Sequence, residues 1–127
     1  MKAEKLRQRV RALERERRTL LRSLLLPGRM VSGGLVERWI VCGKEGCRCQ
    51  TGKRHGPYYY RSVLKPEGPR LEYVGKGEET DVPLLKRYQG YQRQMARLNT
   101  VHREMVELLW QLAEQKLRPP TKAGGVK

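Results

Sequence analysis

Long apolar runs are missing from this 127-residue chain. No stretch approaches the ~20 consecutive apolar residues that a membrane-crossing helix requires, so no membrane partner is expected. Cysteine is scarce and odd in number, with only Cys42, Cys47 and Cys49, which argues against a secreted scaffold of paired disulfides. The stretch from Met1 to Arg22 is too charged for a signal peptide, and it carries Glu4, Glu14 and Glu16, acids that a transit peptide avoids. A cytoplasmic location is therefore expected. Signatures of catalysis are also lacking: there is no Walker-type phosphate loop and no serine in a nucleophile elbow. The acids of the middle region, Glu67, Glu72, Glu78, Glu79 and Asp81, gather at turns and a linker, without the spacing of a two-metal nuclease. A non-enzymatic protein is the expectation.

Acidic residues are few beside basic ones. Asp and Glu total 13 against 28 Lys and Arg, a formal net charge of +15. A field of that size attracts polyanions, nucleic acid before anionic membrane. With 38% apolar and 32% charged residues, the chain is one domain's worth with a thin core.

What is present concentrates between Trp39 and Arg61. This stretch holds all three cysteines, His55, four of the eight aromatic residues and five basic ones. Its ligand-type residues read C-x4-C-x-C-x5-H, that is Cys42, Cys47, Cys49 and His55. Thiolate and imidazole are what zinc prefers, and four such groups close a structural site. Gly43, Gly46, Gly52 and Gly56 allow the tight backbone that a small centre needs. The competing reading is three reduced thiols in a glycine-rich loop, with His55 serving the turn before Pro57. Lys44, Arg48, Lys53, Arg54, Arg61, Lys65 and Arg70 crowd the same region, opposed between 44 and 70 only by Glu45 and Glu67. Basic side chains bind phosphates and exposed tyrosines stack on unpaired bases, which makes these residues and Tyr59 candidate nucleic-acid contacts. The alternative for the tyrosines is that they form the module's own core.

The run Cys-Gly-Lys-x-x-Cys-x-Cys-x-x-Gly-x-x-His-Gly-Pro-Tyr-x-Tyr-x-Ser, here from Cys42 to Ser62, resembles the signature of a family of small prokaryotic domains of unknown function. Arg70 to Val74 resembles that family's second strand, and the likeness extends from Leu35 to about Tyr91. Members often lie beside transposase-like genes. The resemblance implies a shared, metal-bound module in a mobile-element or nucleic-acid setting, and it supplies no activity.

Around this centre the chain divides into four segments: 1–30, a basic N-terminal helix; 31–80, the Cys/His loop with a β-hairpin; 81–118, a long helix; and 119–127, a flexible basic tail. Leu6, Val10, Leu13, Leu20 and Leu24 recur at helical gaps, and Pro27-Gly28 ends that helix. Leu35–Val41 reads as a short strand. Tyr58–Leu64 and Arg70–Val74 flank a Pro/Gly turn, so they read as a hairpin with Tyr58 and Tyr60 on one face and Tyr59 and Arg61 on the other. Asp81 is placed to cap the last helix. There Leu84, Tyr88, Tyr91, Met95, Leu98, His102, Met105, Leu109 and Leu112 alternate gaps of four and three, a heptad stripe that must be buried on another helix.

The expected fold is therefore α+β, with two long helices forming an antiparallel coiled coil around a zinc-knuckle-like loop and hairpin. The second helix is longer than the first, and a homodimer would cover the remainder. The expected function is nucleic-acid binding, DNA before RNA, as an accessory factor in mobile-element DNA transactions, with one structural zinc per chain. The alternative is a coiled-coil adaptor whose metal-stabilised loop binds a protein.

Overall fold

The computed structural model describes residues 2–77 and 80–122. The linker acids Glu78 and Glu79, and residues 123–127 of the expected tail, lie outside the described residues. Helix α1 spans Ala3–Leu24, followed by strand β1 (Gly34–Ile40), a 3-10 turn (Arg48–Gln50), strands β2 (His55–Lys65) and β3 (Gly68–Gly75), and helix α2 (Val82–Glu114). The class is α+β. Among the described residues no helix is long and apolar enough to cross a membrane.

The chain clusters into two compact units, one of Met1–Leu25 with Met95–Lys127, the other Leu26–Gln94. In the first, Leu6, Leu13, Val101 and Leu108 are buried together, and Val10, Leu20, Met105 and Leu112 pack against them. Two forked ion pairs flank this patch: the Arg9 guanidinium donates to Glu104 at 2.8 and 3.2 Å, and that of Arg97 to Glu16. Arg9 meets Glu104 and Glu16 meets Arg97, so the two helical segments run antiparallel there. On α1, Glu14 accepts from both Arg17 and Arg18, and its carboxyl is lowered to about 2, first by the Arg17 hydrogen bond.

The expected coiled coil is not what these helices form. Of the predicted stripe, Met105 and Leu112 do pack against the core, but α2 buries Val101 and Leu108, while His102 is exposed and Met95 and Leu109 are 41% and 49% exposed. Val101 and Leu108 thus take the places expected of His102 and Leu109, and the stripe does not run the length of the helix. The part of α2 before Met95 belongs to the other unit, where Val82 and Leu85 are its buried side chains. The physical reason is that α2 carries apolar residues at 105, 106, 108, 109, 110 and 112, so several stripes satisfy a heptad. Leu109 and Trp110, with Val106 and Ala113, instead line an open apolar concavity.

The second unit is built on a three-stranded antiparallel sheet in the order β1-β2-β3, in which the strand expected at Leu35–Val41 pairs with the first strand of the expected hairpin. Pro66 and Glu67 form a two-residue turn, with Lys65 opposite Gly68. Proline pre-sets the φ that the first turn position needs. Directly opposed residues share a face, so Val36, Tyr60 and Tyr73 lie on one side, and Leu35, Arg61 and Glu72 on the other. The entry to α2 is fixed by Thr80, whose hydroxyl accepts from Val82 N–H at 3.2 Å, while the Asp81 carbonyl accepts from Leu85 N–H at 2.9 Å. The Val31 N–H donates to the Leu84 carbonyl, tying the segment before β1 to the first turn of α2.

Candidate metal centre and basic surface

The register of β1 against β2 builds the centre. Pairing is regular from Gly34 to Arg38, then shifts so that Ile40 stands opposite His55. Cys42, two residues beyond Ile40, is thereby carried to the start of β2, where His55 is the first residue. Close approach at this crossing requires Gly56, whose φ is +147°; a Cβ there would lie 2.8 Å from the Arg38 carbonyl oxygen and 3.1 Å from the Trp39 ring. That ring is held in turn by its indole N–H, which donates to Glu37 Oε1 at 2.7 Å.

Between Cys42 and His55 the loop folds back on itself. The Cys47 N–H donates to the Lys44 carbonyl, as does the Gln50 side-chain amide at 2.7 Å, and Gly46 turns the chain at φ +73°. The 3-10 turn then returns Cys49 to the centre, where Cys49 is 3% exposed. The result places one sulfur or nitrogen atom from each of Cys42, Cys47, Cys49 and His55 within 4.8 Å of all the others. Cys42 and Cys49 Sγ are 3.4 Å apart, and Cys47 Sγ lies 3.2 Å from His55 Nε2. A disulfide needs ~2.05 Å between sulfurs, so these are free thiols. In a tetrahedron with zinc–sulfur bonds of ~2.3 Å, neighbouring ligand atoms stand ~3.7 Å apart, a spacing the cluster already brackets. The four residues can hold a metal ion.

The electrostatics of the free thiols are uneven. Cys47 is lowered to about 6, first by the Cys49 backbone N–H, then by the neighbouring thiols and His55. Burial pushes Cys49 up to about 11. Cys47 thus ionises before Cys49, and its backbone and imidazole partners are the groups that stabilise a thiolate.

The candidate nucleic-acid contacts do not share one environment. Lys44, Arg48, Lys53 and Arg54 are exposed on the Cys/His loop, and among the described residues none has a carboxylate within ion-pair distance. Lys65 and Arg70 are exposed at the turn end of the hairpin, with Lys65 3.8 Å from Glu72. Arg61 is differently placed: its guanidinium is half-buried, paired with Glu72 at 2.6 Å and donating to the Ser32 carbonyl. Tyr59 is half-buried, with the Lys86 ammonium 5.7 Å from its ring centroid.

Sequence reasoning passed over Tyr73, Arg38 and Lys76. The Tyr73 ring packs against Tyr60 at 5.4 Å and Tyr58 at 6.5 Å, while Arg38 lies over Tyr60 and Lys76 over Tyr58. A signal was available in the turn: a two-residue loop pairs 65 with 68, and counting outward pairs 60 with 73.

Comparison with curated proteins and with solved structures finds no match. Residues 3–84 match a family described as a domain of unknown function, DUF6788, a span that takes in α1, the whole sheet, the Cys/His loop and the first residues of α2. With about two-thirds of its length matched, the chain belongs to the DUF6788 family.

Proposed function

We propose that this protein binds nucleic acid without catalysing a reaction, DNA in preference to RNA, and that one structural zinc ion held by Cys42, Cys47, Cys49 and His55 shapes the binding loop. The observation that carries the reading is the loop itself: four exposed cations, Lys44, Arg48, Lys53 and Arg54, stand on a backbone folded around four metal-type ligands. Zinc suits a closed set of three thiolates and one imidazole, and such sites serve structure. The unit needs that support, because Cys49, Val82 and Leu85 are its only buried apolar residues among those described. Unpaired lysines and arginines at fixed positions would then meet phosphates and release counterions.

A salt titration of binding to duplex DNA and to RNA tests the proposal. Affinity that falls steeply with salt, with DNA bound more tightly, supports it. No binding at low salt removes it and leaves the adaptor reading, in which the loop engages a protein.

A further inference from the structure

The face of the sheet bearing Tyr58, Tyr60 and Tyr73 has a composition that neither a core nor a solvated surface calls for. Tyr73 is 58% exposed, although it sits mid-strand and touches two other rings. A core tyrosine would be covered, and an ordinary exposed strand position would be polar. The rings are flanked by cations, Arg38 at 5.5 Å from the Tyr60 centroid and Lys76 at 4.7 Å from that of Tyr58. The nearby strand carboxylate Glu72 is on the opposite face, committed to Arg61. One face thus presents aromatic planes between positive charges.

We propose that this face is a stacking platform for the bases of single-stranded nucleic acid, with Arg38 and Lys76 meeting its phosphates. The occupant follows from charge and shape complementarity. The cations select a polyanion, and the rings select one with exposed planar groups. A duplex hides its base faces within its own stack, whereas a single strand presents them. Magnitudes favour exchange of partner at the rings. A cation over an exposed ring is held more weakly than a base stacked on it. Stacking of a base on an aromatic side chain is worth about 1–3 kcal/mol. A base can therefore displace Arg38 or Lys76 from its ring and leave the cation free for the adjacent phosphate. Stacking accepts any base, so the platform adds preference for strandedness with little preference for sequence.

This inference rests on the proposed nucleic-acid reading and adds a second surface to it. The test compares a short mixed-sequence single strand with the duplex of the same sequence, at one salt concentration, for the full chain and for Tyr73→Thr and Tyr73→Phe. Threonine retains strand preference without a ring, and phenylalanine retains the ring. Tyr73→Thr is expected to weaken single-strand binding about 5- to 150-fold while leaving duplex binding unchanged, and Tyr73→Phe to bind both as the parent does. Unchanged single-strand affinity in Tyr73→Thr, with binding otherwise intact, overturns the platform and spares the loop as the binding site. Equal losses on both strand forms also overturn it, because stacking distinguishes them. A parent protein that binds neither at low salt removes the platform and the nucleic-acid function together.

Discussion

Four side chains and one glycine decide the centre. Cys42, Cys47, Cys49 and His55 converge only because Gly56 lets β2 start against the Arg38 carbonyl and the Trp39 ring. Gly56→Ala places a methyl group where no space exists, at a φ that L-residues avoid. We expect it to destabilise the protein by about 1–3 kcal/mol, read from chemical denaturation. At the ligands, elemental analysis of the purified protein should find one zinc per chain. Cys49→Ser should remove the metal and lower the thermal transition, whereas Arg48→Ala, which alters an exposed neighbour, should retain both. Protein without stoichiometric metal, or a Cys49→Ser variant with unchanged melting, contradicts the structural-zinc reading. That these four residues stand together was legible in the sequence because thiols and imidazole are rare in this chain and cluster within one short stretch. The Tyr73 cluster was not, because its partners lie on different strands and only the hairpin register joins them.

At the scale of the elements, the strands and both helices were legible from periodicity and from the turn signals at Pro27-Gly28 and Pro66-Glu67. Leu6 and Leu13 lie buried where the α1 stripe puts them. The α2 stripe misled because apolar residues stand side by side at 108, 109 and 110, so periodicity alone leaves its rotation open. The pairing of β1 with β2 was equally hidden, since it joins strands across the Cys/His loop. The two registers of α2 make opposite predictions. Val101→Asp should collapse the helical unit, seen as lost helicity and a lowered transition, because it buries a charge without a partner. His102→Asp should be tolerated, since His102 is exposed. The reverse pattern would restore the stripe anticipated from the sequence.

The helical unit is expected to weaken in acid. Arg17 and Arg18 hold Glu14 down to about 2 from an ordinary value near 4.5, and Glu16 and Glu104 are lowered by Arg97 and Arg9. A carboxylate with a depressed folded pKa contributes its full stability above its unfolded value and loses it as pH falls. Glu14 therefore stabilises α1 fully above pH 4.5 and progressively less down to about 2. Melting curves of the parent and of Glu14→Gln should differ near neutrality, with the parent more stable, and converge across that window. A difference that stays constant on acidification would show that the Glu14 charge does not contribute.

For the whole molecule, the +15 formal charge is distributed between α1, the Cys/His loop and the later elements. Net charge favours a polyanion as partner without saying where one would land. Much of the α1 charge is already engaged: Arg7 and Arg11 lie 3.7 Å from Glu4, and Arg17 and Arg18 hold Glu14. The loop cations Lys53 and Arg54 are exposed, with no carboxylate at ion-pair distance among the described residues. The slope of log affinity against log salt for duplex DNA separates the two surfaces, because each lost phosphate contact flattens it by about 0.9. The measurement is that slope for the parent, for Lys53→Ala/Arg54→Ala and for Arg11→Ala/Arg15→Ala. Binding at the metal-folded loop predicts a flattening of about two in the loop variant and little change in the helix variant. A slope unchanged in the loop variant and flattened in the helix variant would contradict it and place the binding site on α1 instead.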